Sequence, residues 1–268
     1  MKIVHVAVFV LAAWATSGVQ AQPSSVDLGI QAAQRGDYAA ARAIWLPLAD
    51  RGNADAQNNL GVMYERGWGT ERNLPMAVEY YQKAANQGNA SAQNNLGVAY
   101  DRGLGVAKDT TRAAQWYARA AAGGDMNAQN NLGVLTERGD GVVQDLAAAQ
   151  RWYTMAAEKG HSPAQNNLGV LFERGKGVPV DLVKAAQWYR KAAEKNNPSA
   201  QNNLGVLYGK GLGVKGDLVT ANYWFSRAAL GGSVNAVNNR DSTGRKLTPQ
   251  QREEVAKLLA TPPAKKSS

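Results

Sequence analysis

Apolar residues recur along this chain at helical spacing, and the same pattern returns after a fixed interval. In one copy, Ala164, Leu168 and Leu171 occupy positions i, i+4 and i+7, which place them on one face of an α-helix. Gly175 then ends the helix, because glycine tolerates the left-handed conformation that closes one. The pattern therefore predicts a first helix from Ala164 to Arg174, followed by a short loop.

A second helix follows the loop and carries the largest aromatic residues of each unit. It begins at a short polar residue whose side chain can accept hydrogen bonds from free backbone amides. These predicted caps lie one interval apart, at Asp37, Asn73, Asp109, Asp145, Asp181 and Asp217. Aromatic residues then align at positions 80–81, 116–117, 152–153, 188–189 and 224–225. Their strict register favours packing in a core over an exposed aromatic platform for sugars.

The most regular segment is the heptapeptide Ala-Gln-Asn-Asn-Leu-Gly-Val, which opens each predicted first helix. Its copies begin at Ala56, Ala92, Ala128, Ala164 and Ala200, and a decayed copy begins at Ala236. A constant period of 36 residues, as from Ala56 to Ala92, is typical of a solenoid. In a solenoid each repeat buries its apolar side only against its neighbours. We predict an all-α chain of about six two-helix repeats.

Both ends of the array depart from the repeating pattern. Residues 26–34 are predicted to form a shortened first helix that lacks the Asn-Asn signature. Thr248, followed by proline, is a strong helix start, and Val255, Leu258 and Leu259 are expected to pack on the last repeat. The chain therefore divides into a leader, a repeat array, a capping helix and a disordered basic tail. The predicted boundaries are 1–21, 22–247, 248–260 and 261–268.

The repeat pattern as a whole resembles that of a known family. It reads Ala-x-x-x-Leu-Gly-x-x-Tyr-x-x-Gly-x-Gly-Val, then Asp, Ala-x-x-Trp-Tyr and Lys-Ala-Ala, over about residues 26–240. This pattern resembles the Sel1-like repeats, which are relatives of the tetratricopeptide solenoids. The resemblance implies a right-handed α-superhelix whose first helices line the concave side. It also implies an adaptor surface in protein assemblies and, in bacteria, in envelope signalling or host contact.

The first 21 residues have the three-part pattern of a secretory signal peptide. Lys2 is followed by an apolar run over residues 3–15, and small residues over 19–21 fit a cleavage site. We expect a mature chain that starts at Gln22 and lies in the periplasm of a Gram-negative bacterium or is secreted. The alternative is an uncleaved N-terminal anchor. Later segments are too polar to cross a bilayer, so no stable membrane insertion is expected after cleavage.

Charge and cysteine content narrow the class of partner. The chain has 268 residues, no cysteine and a net charge of +9, so neither disulfides nor thiolate metal sites are available. The positive charge serves ordinary solubility; alternatively, it binds anionic envelope polymers, lipid headgroups or acidic proteins. We expect a monomer with a protein or peptide partner, no nucleic acid and no cofactor.

Catalytic motifs find little support. His161 is the only histidine of the predicted mature chain, and it is expected to be exposed in a loop between helices. Residues 211–216 match the dinucleotide fingerprint, but they follow a predicted helix rather than a strand, so their glycines are turn residues. The Ser-x-x-Lys, Ser-Asp-Asn and Lys-Thr-Gly motifs are absent. We predict no catalytic residue and no metal site. The alternatives are a β-lactamase-like or cell-wall-binding protein and a binder of anionic polysaccharide.

Candidate binding residues lie on the first helices, opposite the predicted core face. The first series is Asn58, Asn94, Asn130, Asn166 and Asn202, and the second is Val62, Val98, Val134, Val170 and Val206. Amide side chains offer both donor and acceptor groups, so the asparagines could hold an extended peptide backbone beside apolar contacts to the valines. The alternative is that the asparagines bond neighbouring repeats, which is the favoured interpretation for the adjacent Asn59 and its copies.

A third series on the first helices is charged. Glu65, Asp101, Glu137 and Glu173 precede Arg66, Arg102, Arg138, Arg174 and, one repeat later, Lys210. We expect these charges to form solvated pairs between layers, each contributing less than about 1 kcal/mol.

Overall fold

A computed structural model describes residues 24–261, and within that range the chain forms fourteen α-helices and no strand. The predicted signal peptide over residues 1–21 and the tail beyond Thr261 lie outside the described residues. The odd-numbered helices up to α13, called A helices here, are α1 (Ser25–Gln34), α3 (Ala54–Arg66), α5 (Ala90–Arg102), α7 (Met126–Arg138), α9 (Ser162–Arg174), α11 (Pro198–Lys210) and α13 (Val234–Gly244). The even-numbered helices up to α12, called B helices, are α2 (Tyr38–Asp50), α4 (Leu74–Asn86), α6 (Thr110–Ala122), α8 (Leu146–Glu158), α10 (Leu182–Glu194) and α12 (Leu218–Leu230). α14 (Pro249–Ala260) closes the array, so the predicted all-α solenoid and its capping helix are confirmed.

Polar caps start the helices of both kinds. The predicted B-helix caps accept backbone hydrogen bonds, as where the Ala148 amide donates to Asp145 over 2.8 Å. The A helices have their own caps, which the pattern analysis missed. They are Asn53, Asn89, Asp125, His161 and Asn197. Each A helix therefore begins two residues before the heptapeptide, and the predicted start at Ala164 was wrong because the cap lies in the preceding turn.

A buried ring under a helical glycine forms the core of each repeat. A Cβ added at Gly133 would lie 2.7 Å from the ring of Tyr153, so only glycine lets the A and B helices come this close. The same arrangement pairs Gly61 with Tyr81, Gly97 with Tyr117, Gly169 with Tyr189 and Gly205 with Phe225. The prediction that these rings pack in the core is confirmed.

Two further side chains join each repeat to the one before it. The tryptophans of α6, α8, α10 and α12 are half-buried and reach the neighbouring core, as where Trp188 packs against the cluster around Tyr153. The heptapeptide glutamine donates to the last turn of the preceding B helix, as where the Nε2 of Gln129 bonds the Ala121 carbonyl over 3.2 Å. Because these contacts recur in most repeats, they stabilise the array by stacking neighbours.

The end of the array is held by α14. The side-chain oxygens of Thr248 and Gln251 accept the backbone amides of each other's residues, which forms the predicted capping box. Val255 is buried with Leu247. Leu258 and Leu259 remain 42% and 36% exposed, so the prediction that they pack on the last repeat was wrong. α14 is therefore anchored near its middle, through Val255.

Candidate partner-binding groove

The asparagines of the heptapeptide bond one A helix to the next. The Nδ2 of Asn167 donates to the Oδ1 of Asn130 over 3.0 Å, and Asn130 is only 8% exposed. The other pairs are Asn95 with Asn58, Asn131 with Asn94, Asn203 with Asn166 and Asn239 with Asn202. The geometry therefore favours the inter-repeat alternative for these oxygens. A binding role for Asn58, Asn94, Asn130, Asn166 and Asn202 stays a prediction.

The valine series lies beside these pairs and is partly buried. Val134 packs against the core cluster of α8 and α9, and its remaining surface lines depressions on both sides of α7. The other members, Val62, Val98, Val170 and Val206, have the same intermediate exposure. The valines therefore offer a narrow apolar strip along the A helices.

The acidic series does not form the predicted solvated pairs between layers, except at one position. The hydroxyl of Tyr153 donates to the Oε2 of Glu137 over 2.9 Å, and the Nζ of Lys176 lies 2.7 Å from the Oε1 of Glu137. Tyr81 donates to Glu65 over 2.6 Å, and Tyr189 donates to Glu173. Burial, assisted by these carboxylates, raises the pKa of all three tyrosines well above the ordinary value. The prediction missed these bonds because it considered one helix at a time.

Variation between the repeats supports a direct link between the acid and the ring. Where the ring is Phe225, which has no hydroxyl, the position of the acid is taken by Gly209. Burial raises the pKa of Tyr117, and the charge of Asp101 raises it further. Asp101 is one methylene shorter than glutamate, and no hydrogen bond joins the two side chains. The glutamates thus satisfy buried hydroxyl groups, and among the described residues only Glu65 also lies within ion-pair distance of its neighbouring arginine, 3.9 Å from Arg66.

The basic series remains on the surface. Each member is the last residue of an A helix, just before the left-handed glycine, and all five are exposed: Arg66, Arg102, Arg138, Arg174 and Lys210. Arg138 lines two neighbouring depressions of ≈ 350 Å³ and ≈ 470 Å³, the first with Arg102 and the second with Arg174. We call the groove formed by the valine and basic series the A-helix groove.

An apolar pocket of ≈ 290 Å³ opens between α1 and α3, at the N-terminal end of the A-helix groove. Val62, the first valine of the series, lines it together with Ile30 and Met63. Tyr38 and Trp68 stack beside it with their ring centroids 5.1 Å apart. The sequence pattern does not predict this pocket, because α1 lacks the repeat signature by which the other units can be aligned.

His161 lies in the turn between α8 and α9, as predicted, but it caps α9 and is half-buried, so its predicted exposure was wrong. Its Nδ1 accepts the Ala164 amide over 3.3 Å, and its Nε2 lies 3.1 Å from the Oδ1 of Asn127. Desolvation lowers the pKa of His161. The negative charge of Asp125 opposes this shift, and the positive charge of Lys195 adds to it. Accepting through Nδ1 requires the neutral ring, so His161 is a structural cap that titrates.

Two other kinds of site considered in the sequence can be located among residues 24–261. These residues contain no cluster of three or more metal-ligating side chains. Gly211 and Gly213 have φ of 68° and 66° in the turn after α11, which confirms them as turn residues rather than a dinucleotide site. Within the same described range, every helix is too short or too polar to cross a membrane.

The family profile of the Sel1 repeat matches residues 54–89, 90–125, 127–161, 162–197 and 198–233. The chain belongs to the Sel1 repeat family. Proteins of this family generally serve as scaffolds for protein interactions. The matched segments begin at the A helices seen here, so the family repeat and the structural repeat coincide.

One solved structure agrees with this assignment. A Sel1 repeat protein from Oxalobacter formigenes is 31% identical, with a TM-score of 0.78 over 91% of this chain and 100% of that chain. A protective antigen of uropathogenic Escherichia coli is 28% identical, with a TM-score of 0.48 over 88% of this chain and 67% of that one. The immunity protein Pa5087 from Pseudomonas aeruginosa is 20% identical and shares the fold, with a TM-score of 0.54 over 77% of this chain and 82% of that one. No curated protein matches the chain.

Proposed function

We propose that this Sel1 repeat protein is an exported, non-catalytic scaffold that binds a protein or peptide segment in its A-helix groove. The observation that carries the proposal is the series of half-exposed valines and exposed cations on successive A helices, which line two neighbouring depressions between α5 and α9. The other conspicuous polar residues of the repeat already have partners inside the fold, namely the asparagines, the glutamines and most of the glutamates. The leader over residues 1–21 supports export to the periplasm of a Gram-negative bacterium, or secretion.

The basic series gives one specific reason to keep a second candidate function, the binding of an anionic polysaccharide. Exposed cations at regular spacing also suit an anionic polysaccharide of the cell envelope, whose charges repeat along the polymer. The valine strip and the apolar pocket favour a polypeptide, since such a polymer has no large apolar side chain to bury there.

Affinity capture from a native envelope extract tests the proposal. The groove bait carries Arg102→Ser, Arg138→Ser and Arg174→Ser, and the control bait carries Arg51→Ser, Arg151→Ser and Lys257→Ser. Both baits lose three positive charges at exposed positions, but only the first loses them in the A-helix groove.

The proposal expects a protein that is retained by the unaltered and control chains and lost from the groove bait. If all three chains retain the same proteins, the A-helix groove is not the binding surface. Capture of carbohydrate without protein would instead favour the polysaccharide candidate.

A further inference from the structure

The basic series presents one exposed cation per repeat along the A-helix groove, and three successive members have no ion-pair partner among the described residues. Arg102, Arg138 and Arg174 are exposed and, among residues 24–261, form no ion pair within 4 Å. Successive members are separated by one repeat, so they face the solvent in a single row. Such a row attracts a ligand that carries several negative charges.

The acids near this row are largely engaged elsewhere. Glu137 accepts the hydroxyl of Tyr153 and pairs with Lys176. Asp101 and Asp140 remain in the depression between α5 and α7, but that depression also holds Lys108 in addition to the two arginines of the row. The cations therefore outnumber the anions in each depression, and the excess faces the groove.

The pocket between α1 and α3 lies at one end of the same row and has the opposite character. Ile30 and Trp68 remain 37% and 40% exposed at its wall, which leaves apolar surface for an incoming side chain. Its volume of ≈ 290 Å³ is at the lower end of the range for small-ligand pockets, so it accommodates one or two side chains. Asn59 also lines it and, unlike its copies, donates to no asparagine of a preceding A helix, so its amide is available to a ligand backbone.

Building on the proposed function, we propose that the A-helix groove binds an extended acidic peptide segment with one large apolar anchor residue. The anchor fills the pocket between α1 and α3, and aspartate or glutamate side chains meet the basic series beyond it. Side-chain amide bonds join neighbouring A helices, and we take their spacing as the upper value for packed helices, about 10 Å. That distance corresponds to about three residues of extended chain, so acids at roughly every third position match the cations.

Selection from a displayed library of random peptides tests this assignment on the mature chain. Recovered peptides are expected to be rich in aspartate and glutamate at intervals of about three residues, with an aromatic or large aliphatic residue at one end. A synthetic fluorescent copy then reports affinity by anisotropy, beside an isostere in which glutamine and asparagine replace the acids.

The groove variant with Arg102→Ser, Arg138→Ser and Arg174→Ser should bind the acidic peptide more weakly by up to about thirtyfold, because each exposed charge pair contributes up to about threefold. The control variant with Arg51→Ser, Arg151→Ser and Lys257→Ser should bind like the unaltered chain. Ile30→Gln should weaken only peptides that carry the apolar anchor. Unchanged melting temperatures would show that the variants are folded.

Other outcomes overturn the inference, and they separate it from the proposed function. Peptides that bind in the groove without acid enrichment would leave the scaffold proposal standing and contradict the acidic occupant. An anionic polysaccharide that binds with the same dependence on the three arginines, while no peptide is selected, would contradict both. Equal loss of affinity in the groove and control variants would show a general charge effect and likewise reject the site.

Discussion

The amide pairs between A helices predict a measurable stability loss when one partner is removed. Asn130→Ala deletes the oxygen that accepts the Nδ2 of Asn167 in a largely buried contact. A buried donor left without its acceptor costs about 1–3 kcal/mol, and the half-buried position of Asn167 favours the lower half of that range. We therefore expect a loss of about 1–2 kcal/mol, which lowers Tm by about 2–8 °C in a domain of this size.

The array supplies its own matched control for this substitution. Asn238 occupies the same repeat position, but it is exposed and α14 rather than another A helix follows it. Asn238→Ala should therefore change the free energy of unfolding by less than about 0.5 kcal/mol. Combining Asn94→Ala, Asn130→Ala and Asn166→Ala should cost about 3–6 kcal/mol, since the pairs are separate and their effects add.

Urea denaturation followed by circular dichroism measures these differences. The reasoning is refuted if Asn130→Ala and Asn238→Ala have the same free energy of unfolding. In that case the asparagine series does not stabilise the array, and its alternative role as a peptide-binding ladder becomes the better explanation.

Three further substitutions test the packing, the buried hydroxyls and the titrating cap. Gly133→Ala should lower the free energy of unfolding by more than about 1 kcal/mol, because the added Cβ meets a buried ring. Gly209→Ala should raise it by up to about 1 kcal/mol, because the added Cβ lies 3.7 Å from its nearest neighbour. Tyr189→Phe should cost about 1–2 kcal/mol because it removes a bond to a carboxylate, and Tyr117→Phe, which has no such bond, should cost less. Because burial lowers the folded-state pKa of His161, its stabilising contribution is complete above the unfolded pKa of about 6.5 and is lost as pH falls towards the folded pKa.

Each of these three predictions has an outcome that contradicts it. Equal effects of the two glycine substitutions on the urea midpoint would mean that the rings do not set the helix spacing. A loss at Tyr117 as large as at Tyr189 would show that the hydroxyl bond contributes nothing. His161→Asn keeps a capping side chain, as at Asn89, and should flatten the fall in stability between pH 7.5 and 5; an unchanged pH profile would exclude this histidine.

The repeat pattern predicts the fold well because each helix signal is local and occurs several times. The caps at Asp145 and Asp181 and the turn at Gly175 depend on side chain and backbone within one helix end, and the structure confirms them. The partner of Glu137 could not be found in this way, because Tyr153 lies on a different helix and enters the account only when the helices are packed. A comparison of the repeats does contain one signal of this contact. In the repeat where Phe225 stands at the tyrosine position, Gly209 stands at the acidic position.

The candidate site was predicted only in outline. The helical wheel places Asn130 and Val134 opposite the core, but Asn130 is only 8% exposed, because the wheel cannot distinguish an amide that faces the solvent from one that bonds the next repeat. The apolar pocket depends on α1, whose register against α2 differs from that of the other units. Trp45 packs over Gly29, sixteen residues before it, and also donates its indole N–H to the Val26 carbonyl over 3.1 Å. Tertiary packing, rather than local sequence, decides which surface remains open.

Site-specific photo-crosslinking in the native envelope tests the central claim most directly, that partners bind in the A-helix groove. A photoreactive residue placed at Arg138 lies between two depressions of the groove, and one at Arg151 lies at an exposed position of the B helix α8. The account predicts a crosslinked protein adduct from position 138 and none from position 151. An adduct from position 151 alone, or equal adducts from both, would contradict it.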